Sequence, residues 1–196
     1  ELDRAIAIAP TFRQPYLLKA YILALSTEPG CVSDASRIAI RVRGLAMNDR
    51  ERSQLAILEH VLDGNWNVAA TAMDVHNMQY PHDLAALQCG HLMDFFRGSA
   101  RDLRDRVARV MTAWSPDLPG FHAVLGFYAF GLEESGDYGR AEDTGRRAVE
   151  IEPLDSWAHH AVAHVMEMQG RAVEGIGWML AREPYWAGDT NFFKVH

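Results

Sequence analysis

Between Gln54 and Val61 the apolar residues Leu55, Leu58 and Val61 recur at every third position, with Ile57 and Leu62 filling the same side. Such spacing is the mark of an amphipathic helix that turns one stripe to a core and the rest to water. A strand would need apolar and polar residues to alternate. No alternating run is longer than Arg37-Ile38-Ala39-Ile40, and that run sits inside a helical frame. The pattern predicts helices and no sheet.

The helices are punctuated at a fixed interval. Gly30, Gly64, Gly98, Gly136 and Gly170 are separated by 34, 34, 38 and 34 residues. Pro81 and Pro153 follow their glycines by 17 residues and Pro116 follows Gly98 by 18. Five residues after the glycines stand Ala35, Ala69, Leu103, Ala141 and Gly175, four of the five small. Physically, this describes pairs of helices. A glycine in the left-handed conformation ends the first helix, a small residue lets the second pack closely on it, and a proline closes the unit. The clearest copy runs from Phe121 to Pro153, FHAVLGFYAFGLEESGDYGRAEDTGRRAVEIEP, and it resembles a tetratricopeptide repeat. The longer interval before Gly136 is assigned to the turn-rich segment SPDLPG, Ser115 to Gly120. The expectation is an all-α superhelix of about five tetratricopeptide-like hairpins, roughly ten helices, with turns at the five glycines. Residues 1–196 read as a single solenoid whose ends look cut, hence part of a longer protein. Pro10 closes less than half a unit, and Asn191 to His196 begins a helix without its partner.

Composition changes this picture little. With 196 residues, 48% hydrophobic and 23% charged, collagenous, low-complexity and disordered classes drop out. Cys31 and Cys89 make no disulfide framework and fit a reducing, cytoplasmic setting. No run is apolar and long enough for a membrane span, so no membrane partner is expected. Charge is more telling. The net charge is −7, and between Asp117 and Gly175 stand 11 acidic against 4 basic residues, with 15 against 15 elsewhere. Such a surface repels phosphate backbones and argues against a nucleic-acid partner.

In the tetratricopeptide register, positions 13, 10, 6 and 3 residues before each glycine face the groove. They select Gln54, Leu58 and Val61; Gln88, Leu92 and Phe95; Ala123, Gly126, Phe130 and Glu133; and Trp157, His160, His164 and Glu167. His160, His164 and Glu167 are spaced i, i+4, i+7 and share one helix face. Two imidazoles and a carboxylate so placed can chelate zinc or another divalent ion, with His196 as a further ligand from the next helix. The competing reading, which the weak i, i+4 signal favours, makes them polar groove residues that hold the repeat interface, and the spacing is not that of HExxH.

Other chemistry is thin. No P-loop, no G-x-S-x-G elbow and no cysteine in a catalytic context is present, and both cysteines read as packing residues. Arg97, Arg101, Arg104 and Arg109 interleave with Asp102 and Asp105 as on an ion-paired, solvated helix.

The segment HHAVAHVMEMQGRAVEGIGWM, His159 to Met179, with Trp186 and the stretch Asn191 to His196, resembles the tetratricopeptide repeat protein 38-like family. The likeness covers roughly residues 155 to 196, and the family's further aromatics and second histidine are absent. It implies an α-solenoid in the cytoplasm and assigns no biochemical role. The expected function is an interaction module holding a peptide or protein in its groove. The alternative is a small-molecule or metal-dependent enzyme using the His160, His164, Glu167 face.

Overall fold

The structure, a computed structural model, describes residues 1–188. Among the described residues every regular element is helical, and the chain divides into two compact units, Glu1–Gly98 and Ser99–His196.

The first unit contains α1 (Leu2–Ile8), α2 (Gln14–Leu25), α3 (Pro29–Arg43), α4 (Asp49–Leu62), α5 (Trp66–Gln79) and α6 (Leu84–Phe96). Hairpin partners α2 and α3 pack together, as do α4 and α5, and α4 and α6 both lie against α2. One core threads all of them, with Leu17, Ala20, Val42, Leu58 and Met73 at its centre. Ala35 and Ala69 are wholly buried, where their lack of bulk lets each second helix approach the first.

The second unit contains α7 (Ala100–Val110), a 3-10 turn (Met111–Ala113), α8 (Phe121–Glu134), α9 (Tyr138–Ile151), α10 (Ser156–Met168), α11 (Ala172–Ala181) and the short α12 (Glu183–Trp186). α8 is the hub, packed by α7, α9 and α10, while α10 also packs on α9 and α11. Ala141 is fully buried with Leu132 and Val165, between Tyr128 and Tyr138.

Four of the five glycines are helix stops. Gly64, Gly98, Gly136 and Gly170 have φ between +66° and +79°. After α8 the Asp137 N–H donates back to the Leu132 carbonyl (2.9 Å), and after α10 the Arg171 N–H donates to Met166 (2.8 Å). These backward bonds satisfy carbonyls that the helix end would leave without donors. Gly30 departs from the expectation. It lies in the first turn of α3, and the left-handed residue is Thr27 (φ 60°), three positions earlier. The cause is Pro29, whose fixed φ starts the helix at that point and pushes the break upstream.

Leu103, bulky where the repeat wants a small residue, is buried all the same. Its partner helix compensates. A Cβ on Gly131 would stand 2.6 Å from the Arg104 Cα, so the space at the α7–α8 crossing comes from the opposite helix.

Candidate functional site

α10 begins at Asp155, whose carboxylate accepts the Ala158 N–H (3.0 Å) and also meets His122 Nδ1 (2.8 Å). From that cap the helix turns Ala158, Ala161, Val162 and Val165 inward. The opposite stripe carries Trp157, His160 and His164, all half-buried, with Glu167 exposed beyond them. Phe130 of α8 is buried beneath the stripe, its ring centroid 5.3 Å from Trp157, 5.4 Å from His160 and 6.0 Å from His164. The two imidazoles stand 4.1 Å apart, tilted, and His160 meets Trp157 edge-on at 6.1 Å. His159, rotated by about 100° on the helix, lies elsewhere. It is buried, its Nε2 meets the Pro153 carbonyl (2.8 Å), and its ring stacks on Tyr185. Burial holds its pKa below the ordinary value, against the pull of the Pro153 carbonyl.

At the end of α8, Glu133 is buried with Oε2 3.7 Å from His164 Nδ1, an ion pair longer than a hydrogen bond. Glu133 raises the His164 pKa above its usual value against the opposing effect of burial, and Glu134 and Glu167 add to it. Burial and the neighbouring Glu133 together push Glu134 up. Donor atoms of Glu133, Glu134 and His164 all lie within 4.8 Å of one another.

The four ligands considered from the sequence are thus distributed differently. His164 joins this cluster, and its carboxylate neighbours come from α8. Glu167 stays exposed further along α10, His160 contributes its ring to the aromatic ladder, and His196 lies outside the described residues. Glu134 escaped the groove register because it is the last residue of α8, one position past the expected face. Its only sequence signal is the Glu-Glu pair just before a helix-stopping glycine.

In the first unit Gln54 is buried and bonded on both sides. Gln14 Nε2 donates to Gln54 Oε1 (2.9 Å), and Gln54 Nε2 donates to Asp83 Oδ2 (2.7 Å). Asp83 caps α6 through the Ala86 N–H and faces His76 Nε2 at 3.3 Å and Arg50 at 3.7 Å. Burial pushes the Asp83 pKa up, but the His76 contact, the Ala86 amide and Arg50 outweigh it and hold the carboxyl below its usual value. Gln88 is half-buried, and Phe95 is exposed, edge-on to Phe96 at 5.5 Å. Asp83 and Asp155 were missed, although both stand 15 residues before a helix-ending glycine. The Cys89 thiol is buried and its pKa is pushed up to about 12, which keeps it protonated and unreactive.

No described helix is long and apolar enough to cross a membrane. No protein-family model matches the chain. Two solved structures of MamA are similar to it. One, a point mutant, has a TM-score of 0.51 at 17% identity over 88% of this chain and 96% of that one. The other, MamA MSR-1, has a TM-score of 0.54 at 17% identity over 88% and 95%. At that identity the likeness speaks to fold, and it agrees with the repeat register read from the glycines: the chain has a tetratricopeptide-like helical-repeat fold.

Proposed function

We propose that the chain is a helical-repeat interaction module that holds a peptide segment of a partner protein against its first-helix face. The observation carrying this reading is the ladder of Trp157, His160 and His164 along α10, half-exposed and backed by the buried Phe130. Rings held rigid from behind present contact area at little entropic cost, and their polar edges can orient a backbone. The exposed Glu134 and Glu167 flank the ladder, and the surrounding segment carries the chain's acidic excess. The complementary partner is therefore a cationic segment with an apolar or aromatic residue at its centre. We place the module in the cytoplasm and beside the tetratricopeptide repeat protein 38-like family. Both unpaired cysteines support the first, and the His159–Met179 stretch supports the second.

The test is a display selection of peptides on the full chain, followed by affinity measurement on purified variants. Selected peptides should be rich in Lys or Arg, and His160→Ala/His164→Ala should abolish binding with helicity unchanged. Peptides that bind the double variant as tightly as the parent would overturn the reading.

A further inference from the structure

Glu133 is an anomaly in packing terms. Its side chain is 4% exposed, yet Oε2 is wholly inaccessible to solvent and accepts no hydrogen bond. A buried carboxylate oxygen without a donor is costly, and proteins compensate with a cation or a metal. The nearest cationic candidate is the His164 ring nitrogen, too far for a hydrogen bond at 3.7 Å. Glu134 brings a second carboxylate oxygen within 4.8 Å of both, and its charge makes the position worse for a lone anion.

We propose that Glu133, Glu134 and His164 form a divalent-cation site of the zinc class, built across the α8–α10 packing. Three donors around a tetrahedral first-row ion, each ~2.0–2.2 Å from the metal, sit roughly 3.3–3.6 Å from one another. The observed donor spacing, 3.7 Å between Glu133 Oε2 and His164 Nδ1 and within 4.8 Å for all three, needs only a small inward movement of side chains. One imidazole and two carboxylates suit zinc or its first-row neighbours better than calcium or magnesium, which take oxygen ligands alone. A dication also resolves the electrostatics, because it supplies Oε2 with a partner and cancels the repulsion between adjacent glutamates. Three protein ligands leave an open position for water or for a partner's side chain. His164 binds as the neutral ring, and Phe130 packed at 6.0 Å fixes the orientation of that ring. The site shares His164 with the ladder, but its argument needs no partner, and a zinc titration without peptide reads it separately.

The experiment titrates zinc chloride into the chelator-stripped full chain by calorimetry. It then repeats the titration on His164→Ala, Glu133→Gln, Glu134→Gln and the control His60→Ala/His82→Ala, which alters half-buried His60 and exposed His82 of the first unit. One equivalent should bind, each site variant should weaken it by about 10-fold or more, and the control should leave it unchanged. Circular dichroism of every variant separates loss of metal from loss of fold. Should Glu133→Gln unfold, the exposed Glu134→Gln decides. Cobalt(II) supplies the second readout, an intense visible band from a low-coordinate ion that disappears in His164→Ala. Zinc affinity unaffected by His164→Ala, or lost with the control histidines instead, overturns the proposal. So does a cobalt spectrum like that of the hydrated ion.

Discussion

Gln54 and Asp83 meet at 2.7 Å across two successive first helices, joining the middle of α4 to the cap of α6. One period pair later in the sequence the corresponding positions are Gly126 and Asp155. There the joint works by subtraction, for a Cβ on Gly126 would stand 3.2 Å from Asp155 Oδ1. Each aspartate also meets a histidine, His76 in one case and His122 in the other. The same backbone register thus ties repeats together by a hydrogen-bonded side chain in the first unit and by bare backbone contact in the second.

Asp83→Ala should therefore destabilise more than loss of a helix cap alone. Removing it deprives the Ala86 amide of its acceptor and leaves Gln54 Nε2 and His76 buried beside a gap. A lost cap costs about 1 kcal/mol and each of the two orphaned buried groups a further ~1–3 kcal/mol, so the sum should reach ~3 kcal/mol or more. Asp83→Asn keeps a good capping side chain and should cost less. Urea titrations of both variants give the comparison, and equal midpoints for Asp83→Ala and the parent would refute it.

Two glycines in helices should respond to alanine with opposite signs. At Gly131 the new methyl meets Arg104 backbone at 2.6 Å and 2.8 Å, which forces α7 away from α8 and costs ~1–3 kcal/mol. At Gly177, inside α11, nothing lies within 4 Å. Alanine there removes backbone freedom from the unfolded chain and should stabilise by ~0.5–1 kcal/mol. Thermal melts of the two variants should shift to opposite sides of the parent.

What could be read from the chain follows from which constraints are local. A left-handed stop after a helix has one good residue, so Gly64, Gly98, Gly136 and Gly170 announced themselves by type and interval. Thr27 did not, because a β-branched residue in that conformation is uncommon and only Pro29 two positions on requires it. The stripe of Trp157, His160 and His164 was legible because helical spacing alone places residues on one face. What those residues touch is a property of the neighbouring helix. That Phe130 would be buried beneath the ladder depends on side-chain packing between α8 and α10. That Glu134 would approach His164 depends on where α8 ends. Neither is visible in the period of any single segment.

Ala141→Arg tests the tightest hairpin. Ala141 is 0% exposed among Leu132 and Val165, so a guanidinium there is both overpacked and without a partner. The expected loss is ~3 kcal/mol or more, read as a large drop in Tm. A variant that melts within a degree or two of the parent would show that α8 and α9 do not cross at this residue.

His159 should make the protein less stable in mild acid. Its ring is buried against Trp178 and Tyr185, and burial lowers its folded pKa below the unfolded value of 6.5, with Arg182 adding to the effect. Between the folded pKa and 6.5 the unfolded chain binds a proton that the folded chain refuses, so unfolding is favoured as pH falls. The penalty is absent above 6.5, grows below it, and levels off once the pH passes under the folded pKa. One group gives a slope of at most ~1.4 kcal/mol per pH unit. His164, whose folded pKa is raised, contributes with the opposite sign, so the parent's curve mixes the two. The measurement is therefore a difference: denaturant stability from pH 5 to 7.5 for parent and His159→Gln, with a chelator present. His159→Gln should cost stability at pH 7.5, where the hydrogen bond to the Pro153 carbonyl and the ring stacking are lost. The gap should then narrow toward pH 5, because the variant has no proton to refuse there. A gap that stays constant across the range would mean that His159 takes up its proton as readily in the fold as in the unfolded chain.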